Sequence, residues 1–183
     1  MKKAELPVDK RKWHPSLIPG LITLISTISA DDKPNIAPKS WLQMVSMEPS
    51  ILMFSGSKGN TTENNIIQTK SFVVNIVSSD MAVKVFDCLK WFGFERIKKC
   101  GLTLGSSQKV STPLINECKA HIECSLHSTL EIGSGLIVFG NIEAVSIDEN
   151  IELADENRKY ELLDQILFLE DRKYADIGNI FDI

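Results

Sequence analysis

The polar and apolar positions of this chain fall mostly into short strand-like runs. Residues 21–29 are rich in Leu, Ile and Thr, which suit a pleated sheet. The cluster Asp31-Asp32-Lys33-Pro34 marks a turn, and residues 35–45 read as the returning strand of a hairpin. Ile51-Leu52-Met53-Phe54 lies between Pro49 and Ser55-Gly56-Ser57, the pattern of a buried strand feeding a loop. Residues 60–70 then read as a helix. Asn60 suits its N-cap, Glu63 completes a capping box, Ile66 and Ile67 supply the apolar side, and Lys70 suits the negative end of the dipole. Phe72-Val73-Val74-Asn75-Ile76-Val77 is a β-branched strand.

Further on, Met81, Val85 and Cys88 sit at helical spacing within residues 80–89, and residues 95–99 read as a second short helix. Residues 121–126 alternate. Residues 136–147 form a long strand with Gly140 as a bulge or a point of close approach. Residues 151–166 read as irregular or helical, 167–183 as a C-terminal tail, and 1–16 as an arm on the surface or on a partner subunit. Strands do not alternate regularly with helices. The expected fold is therefore mainly β, an antiparallel sheet or barrel with peripheral helices, in a single domain over residues 1–183.

Composition narrows the function classes. With 183 residues, 43% hydrophobic positions and a formal charge of −4, the chain is an ordinary globular protein. Its pI near 5.4 argues against nucleic acid or an anionic membrane as partner. Cys88, Cys100, Cys118 and Cys124 form no CxxC, and His14, His121 and His127 form no HExxH, so no metal site is expected. The histidines read as surface or hydrogen-bonded residues. Reduced thiols are expected, since a chain this long needs no disulfides. The basic start and the apolar residues 17–28 mimic a signal peptide, but Pro19-Gly20 interrupts them. No stretch is long and apolar enough to span a bilayer. A cytoplasmic protein is expected.

Two segments carry candidate chemistry. The first is Phe54-Ser55-Gly56-Ser57-Lys58-Gly59-Asn60-Thr61-Thr62-Glu63-Asn64-Asn65. A helix start offers free amides and partial positive charge to a phosphate. Gly56 and Gly59 allow close backbone approach, Lys58 adds a full charge, and Ser55, Ser57, Thr61 and Thr62 add hydroxyl donors. A polar loop with an ordinary N-cap fits the same residues. The second is Asn35-Ile36-Ala37-Pro38-Lys39-Ser40-Trp41. Pro38 places its strand at an edge or a bulge, where exposed backbone groups could meet a flat heterocycle beside Trp41. The alternative is an edge strand with Trp41 in the core.

In their order and spacing these pieces resemble the flavin reductase-like family, with its FMN-binding split barrel. Lys33-Pro34-Asn35-Ile36-Ala37-Pro38-Lys39-Ser40 is similar to that family's G-x-P-N-x-A-P-x-S hairpin. Thr62-Glu63-Asn64-Asn65-Ile66 followed by Phe72-Val73-Val74-Asn75-Ile76-Val77 is similar to its T-x-x-N-I and F-V-V-N-I-V. Gly101-Leu102-Thr103, Ile122-Glu123-Cys124 and Tyr174-Ala175 extend the likeness. The resemblance implies a six-stranded antiparallel barrel of Greek-key type that binds FMN as a homodimer, with the flavin near the subunit interface. It places Asn35, Ala37, Pro38, Lys39 and Ser40 against the isoalloxazine and ribityl chain. Ser55, Ser57, Lys58, Thr61, Thr62 and Asn65 would hold the phosphate.

The implied activity passes electrons from NADH or NADPH through FMN to a small-molecule or protein acceptor. No side-chain acid or base stands out, and hydride transfer needs none. Many relatives carry Lys-Asp where this chain has Asn60-Thr61, which shifts phosphate charge balance toward Lys58 and backbone amides. Many also carry a nicotinamide-associated histidine where this chain has Gly133-Ser134-Gly135, and Gly-Gly where it has Glu170-Asp171. A flavoredoxin-like electron carrier without nicotinamide-dependent activity is the alternative.

Overall fold

A computed structural model describes residues 3–7, 17–178 and 180. Its strands are β1 (Gly20–Leu21), β2 (Thr23–Ile28), β3 (Pro34–Lys39), β4 (Leu42–Met47), β5 (Ser50–Ser57), β6 (Ser71–Ile76), β7 (Leu104–Gly105), β8 (Leu114–Ile115), β9 (Ala120–Ile132), β10 (Gly135–Ile147), β11 (Ile166–Glu170) and β12 (Lys173–Asp176). The helices are α1 (Thr61–Thr69), α2 (Ala82–Cys88), α3 (Gly93–Lys99), α4 (Glu149–Glu152) and α5 (Glu156–Leu163). A 3-10 turn at Ser79–Met81 leads into α2. The anticipated arm at residues 1–16 lies largely outside the described residues.

The main sheet is antiparallel, in the order β3-β2-β6-β9-β10-β5-β4. It has seven strands where six were expected. Its two edges, β3 and β4, are separated in the chain only by Ser40 and Trp41. That short link brings the edges together without pairing them, which leaves the barrel split along one seam. The non-sequential neighbours make it Greek-key in type. β2 is buried on both faces, which explains its unbroken run in place of alternation. Leu24 packs with the helical layer of Val85, Cys88, Ile97 and Cys100. Ile25 packs inside the barrel with Phe54, Phe72 and Val138.

Inside the barrel, Phe54 and Phe72 meet edge to face with centroids 5.5 Å apart. Gly140 lies opposite them at a register shift in the β9–β10 pair, as its sequence context implied. A Cβ at Gly140 would stand 2.4 Å from Phe72 Cζ, so only glycine fits. Each fully buried aromatic or aliphatic side chain here gains roughly 1.5–3 kcal/mol from burial.

Residues 167–183 do not form a tail throughout. β11 and β12 make a hairpin that adds to β1 in a three-stranded sheet. Ile166 enters the same core cluster as Ile22, and Phe168 stacks edge-on with Tyr174. Residues 151–166 contain the end of α4 and all of α5. Asp155 caps α5 by accepting from the Arg158 amide at 3.0 Å.

Asn75 joins three layers. Its amide nitrogen donates to the Leu24 carbonyl at 2.8 Å, and its oxygen accepts from the Ile115 amide at 2.9 Å. That same oxygen lies 3.0 Å from His121 Nδ1, which must therefore donate. Burial pulls the His121 pKa below its ordinary 6.5, against the pull of Asp148 and Glu123. The unfolded chain therefore takes up a proton near pH 6.5 that the folded chain refuses until lower pH, so folding stability falls as pH drops below 6.5. Urea unfolding at pH 7.5 and pH 5.5 should show a smaller pH-linked loss in His121→Asn than in the parent protein. Equal losses in both would remove His121 as the responsible group.

Candidate functional site

Three elements converge on a cavity of about 350 Å3. The edge strand β3 lends Asn35, Ala37, Pro38 and Lys39, and the entry to α1 lends Gly59 through Glu63. The corner between α2 and α3 lends Leu89, Phe92, Gly93 and Arg96. β3 reaches the cavity because it is an edge strand paired only with β2. Pro38 is accommodated there without a bulge.

A polar network fixes β3 against α1. Asn35 Nδ2 donates to Thr62 Oγ1 at 3.0 Å and to Thr27 Oγ1 at 3.3 Å. Asn65 Nδ2 donates to Thr27 Oγ1 at 3.1 Å from the other side. Asn60 occupies the N-cap of α1, but its side chain makes no capping bond. Glu63 does not close a capping box either. It turns inward and forms a buried ion pair with Lys39.

That ion pair has tight surroundings. Lys39 Nζ lies 5.6 Å from the centroid of the Phe54 ring. A Cβ at Gly56 would fall 1.5 Å from Glu63 Oε1, so glycine there makes room for the carboxylate. Glu63 Oε1 holds Lys39, whereas the buried Oε2 has no hydrogen-bond partner among the described residues. An orphaned carboxylate oxygen in a cavity wall calls for a donor. The first turn of α1 adds amides without intrahelical acceptors.

On the opposite wall Arg96 supplies the positive charge. Its Nε donates to the Trp91 carbonyl at 2.8 Å, and Nη1 donates to the Ile36 carbonyl. Burial draws its pKa below the ordinary value, though a guanidinium stays charged at neutral pH. The cavity thus combines a cation, a helix start, hydroxyls and a buried acceptor, a set that suits a phosphorylated polyol.

Residues 16–164 match the model of the flavin reductase like domain. The chain belongs to this family. An uncharacterized protein of Aquifex aeolicus is 33% identical over 171 residues, which is 90% of this chain and 82% of that one. The flavoredoxin of Desulfovibrio vulgaris superposes with a TM-score of 0.84 at 20% identity, over 98% of this chain and 97% of the other. An FMN-binding protein from Thermus thermophilus superposes at 0.77 with 17% identity, over 100% and 99%. At such identities these two likenesses speak for the fold, a split barrel of the flavin reductase type.

Within this family frame, Asn35, Ala37, Pro38, Lys39, Thr61 and Thr62 line the cavity together. Ser40 lies beside it, between two neighbouring cavities of about 130 Å3 and 670 Å3. Asn65 is spent on Thr27, and Ser55 and Ser57 lie in the β5 ladder away from the cavity lining. Lys58 points to the β9–β10 hairpin, where it pairs with Glu131 at 2.6 Å. Trp41 is 53% exposed rather than in the core, because the turn between the two sheet edges carries it outward. Arg96 has no distinguishing signal in sequence, standing two residues before Lys98 and Lys99 in the short helix.

The Lys39–Glu63 pair gives a stability test. Lys39→Met strands a buried carboxylate and should cost about 3–5 kcal/mol in chemical denaturation. The double variant Lys39→Met/Glu63→Met should recover most of that loss. A double variant no more stable than Lys39→Met would show that the pair does not govern stability here.

Proposed function

We propose that this member of the family is an FMN-dependent oxidoreductase that passes electrons from NADH or NADPH to a small-molecule or protein acceptor. The observation that carries the reading is one cavity uniting Arg96, the start of α1 and the orphaned Glu63 oxygen. When bound, FMN supplies the redox chemistry by taking up a hydride and handing its electrons on.

The residues present fit such a ligand. Arg96 and the amides at Thr61 and Thr62 hold the phosphate, since fixed dipoles and a guanidinium suit that anion. Glu63 Oε2 accepts from a hydroxyl of the ribityl chain, which satisfies its missing bond. Asn35, Ala37 and Pro38 border the ring system beside the apolar Leu89 and Phe92, with Ser40 next to them. Ser55, Ser57, Lys58 and Asn65 act from the periphery, by shaping the loop and the helix start. The alternative, a flavoredoxin-like carrier that exchanges electrons with a protein, is favoured by the Gly133-Ser134-Gly135 turn in place of a nicotinamide-binding histidine.

Absorption spectra of the purified protein with added FMN test the reading. Arg96→Ala should weaken FMN binding about tenfold or more, the scale of a charged hydrogen bond. Lys58→Ala, whose partner Glu131 is exposed, should change it by less than about threefold. Equal effects would move the phosphate toward Lys58. Anaerobic bleaching by NADH or NADPH would support the oxidoreductase over the carrier, and a flavin that stays yellow would reverse that choice.

A homodimer also fits. The edge strand β4 exposes Met44, Val45 and Met47, and Ile18 and Leu21 line the apolar cavity beside Trp41. Exposed apolar edges of this kind invite a second copy. A cytoplasmic location suits four free thiols, and no helix among the described residues is long and apolar enough to cross a membrane. Met47→Glu should halve the mass measured by sedimentation equilibrium. A parent protein that is already monomeric at high concentration would end the dimer proposal.

A further inference from the structure

Cys88 ends α2 and Cys100 follows α3, and their sulfurs stand 3.0 Å apart. That is inside van der Waals contact and about 1 Å beyond the length of a disulfide bond. The other two cysteines have no such neighbour among the described residues. Cys118 has the Met81 sulfur at 3.8 Å, and Cys124 has the Ile122 carbonyl at 3.8 Å. Cys88 is the last residue of one seven-residue helix and Cys100 caps the end of another, so neither lies within the sheet. Gly101 follows Cys100 at a φ of 61°, a left-handed turn that allows a small local shift. Closing the last ångström therefore leaves the barrel intact.

We propose that Cys88 and Cys100 form a redox-active dithiol, oxidised by hydroperoxides to an intramolecular disulfide and restored by small dithiols. Cys100 is the more accessible, at 5% exposure against none for Cys88. Its sulfur attacks a peroxide oxygen and breaks the O–O bond, giving a sulfenic acid and one water (an alcohol, for an alkyl hydroperoxide). The Cys88 sulfur then displaces the hydroxyl from the Cys100 sulfur and forms the S–S bond. That hydroxyl leaves as water with the Cys88 proton. The two thiols lose two electrons, and the peroxide takes them up.

Burial and the neighbouring Cys100 sulfur hold the Cys88 thiol above its ordinary range, so it is the protonated partner and supplies the proton that leaves with the hydroxyl, while its 3.0 Å separation from the Cys100 sulfur supplies the proximity for the second step. Arg96 faces both sulfurs electrostatically and also lines the cavity, as do Leu89, Phe92 and Gly93 from the same segment. The bond would thus cross-link the wall of the candidate cofactor site, although its formation does not depend on FMN.

The test uses the full-length parent protein, fully reduced and freed of reductant, then treated with hydrogen peroxide. Thiols are alkylated under denaturing conditions and mapped by peptide mass spectrometry. The expected result is loss of two of the four reactive thiols and a Cys88–Cys100 crosslinked peptide. Reduction with dithiothreitol should return all four. In Cys88→Ser the reaction should stop at a sulfenic acid on Cys100, trapped by dimedone. Four thiols persisting after treatment, or a crosslink through Cys118, Cys124 or a second chain, would overturn the proposal.

Discussion

The inward turn of Glu63 onto Lys39 organises much of what lies around the cavity. It ties the edge strand β3 to the first turn of α1, two elements with no ladder in common. Two opposite charges removed from water hold each other firmly only when neither can find solvent, and Glu63 is wholly enclosed. Gly56 is part of the same arrangement, because any side chain there would occupy the carboxylate's place. One oxygen of Glu63 is consumed by the pair and the other has no hydrogen-bond partner among the described residues.

The wall that faces this pair is built differently. Arg96 is held by carbonyls of Ile36 and Trp91, so a charged group is positioned by the backbone of two separate segments. Orientation by main chain leaves the guanidinium without a carboxylate partner among the described residues. Lys58 is the opposite case, a flexible cation already engaged by Glu131 on the surface.

Local chemistry made much of the architecture readable. The β2–β3 hairpin, α1, β6 and the long β10 with Gly140 all carry patterns that depend only on near neighbours. The hairpin of β11 and β12 was not readable, because Ile166-Leu167-Phe168-Leu169 is a short apolar run without alternation, followed at once by the charged Glu170-Asp171-Arg172-Lys173. It exists through pairing with β1 far away in sequence. Glu63 was misread for a related reason. An acidic residue three places after Asn60 suits a cap, and only the distant Lys39 decides otherwise. The proximity of Cys88 and Cys100 likewise comes from the packing of two short helices, not from a spacing motif. Arg96 could not be told from its basic neighbours until the α2–α3 corner placed it.

The pairing of Gly20 with Phe168 has a consequence for the order of biosynthesis. Phe168 and Tyr174 face Pro38, Lys39 and Ser40 across the small cavity next to the main one. A nascent chain can make the β2–β3 hairpin early, yet this side stays open until residues 166–176 have left the ribosome. A guest that leans on that wall therefore meets it complete only once β11 and β12 have docked against β1.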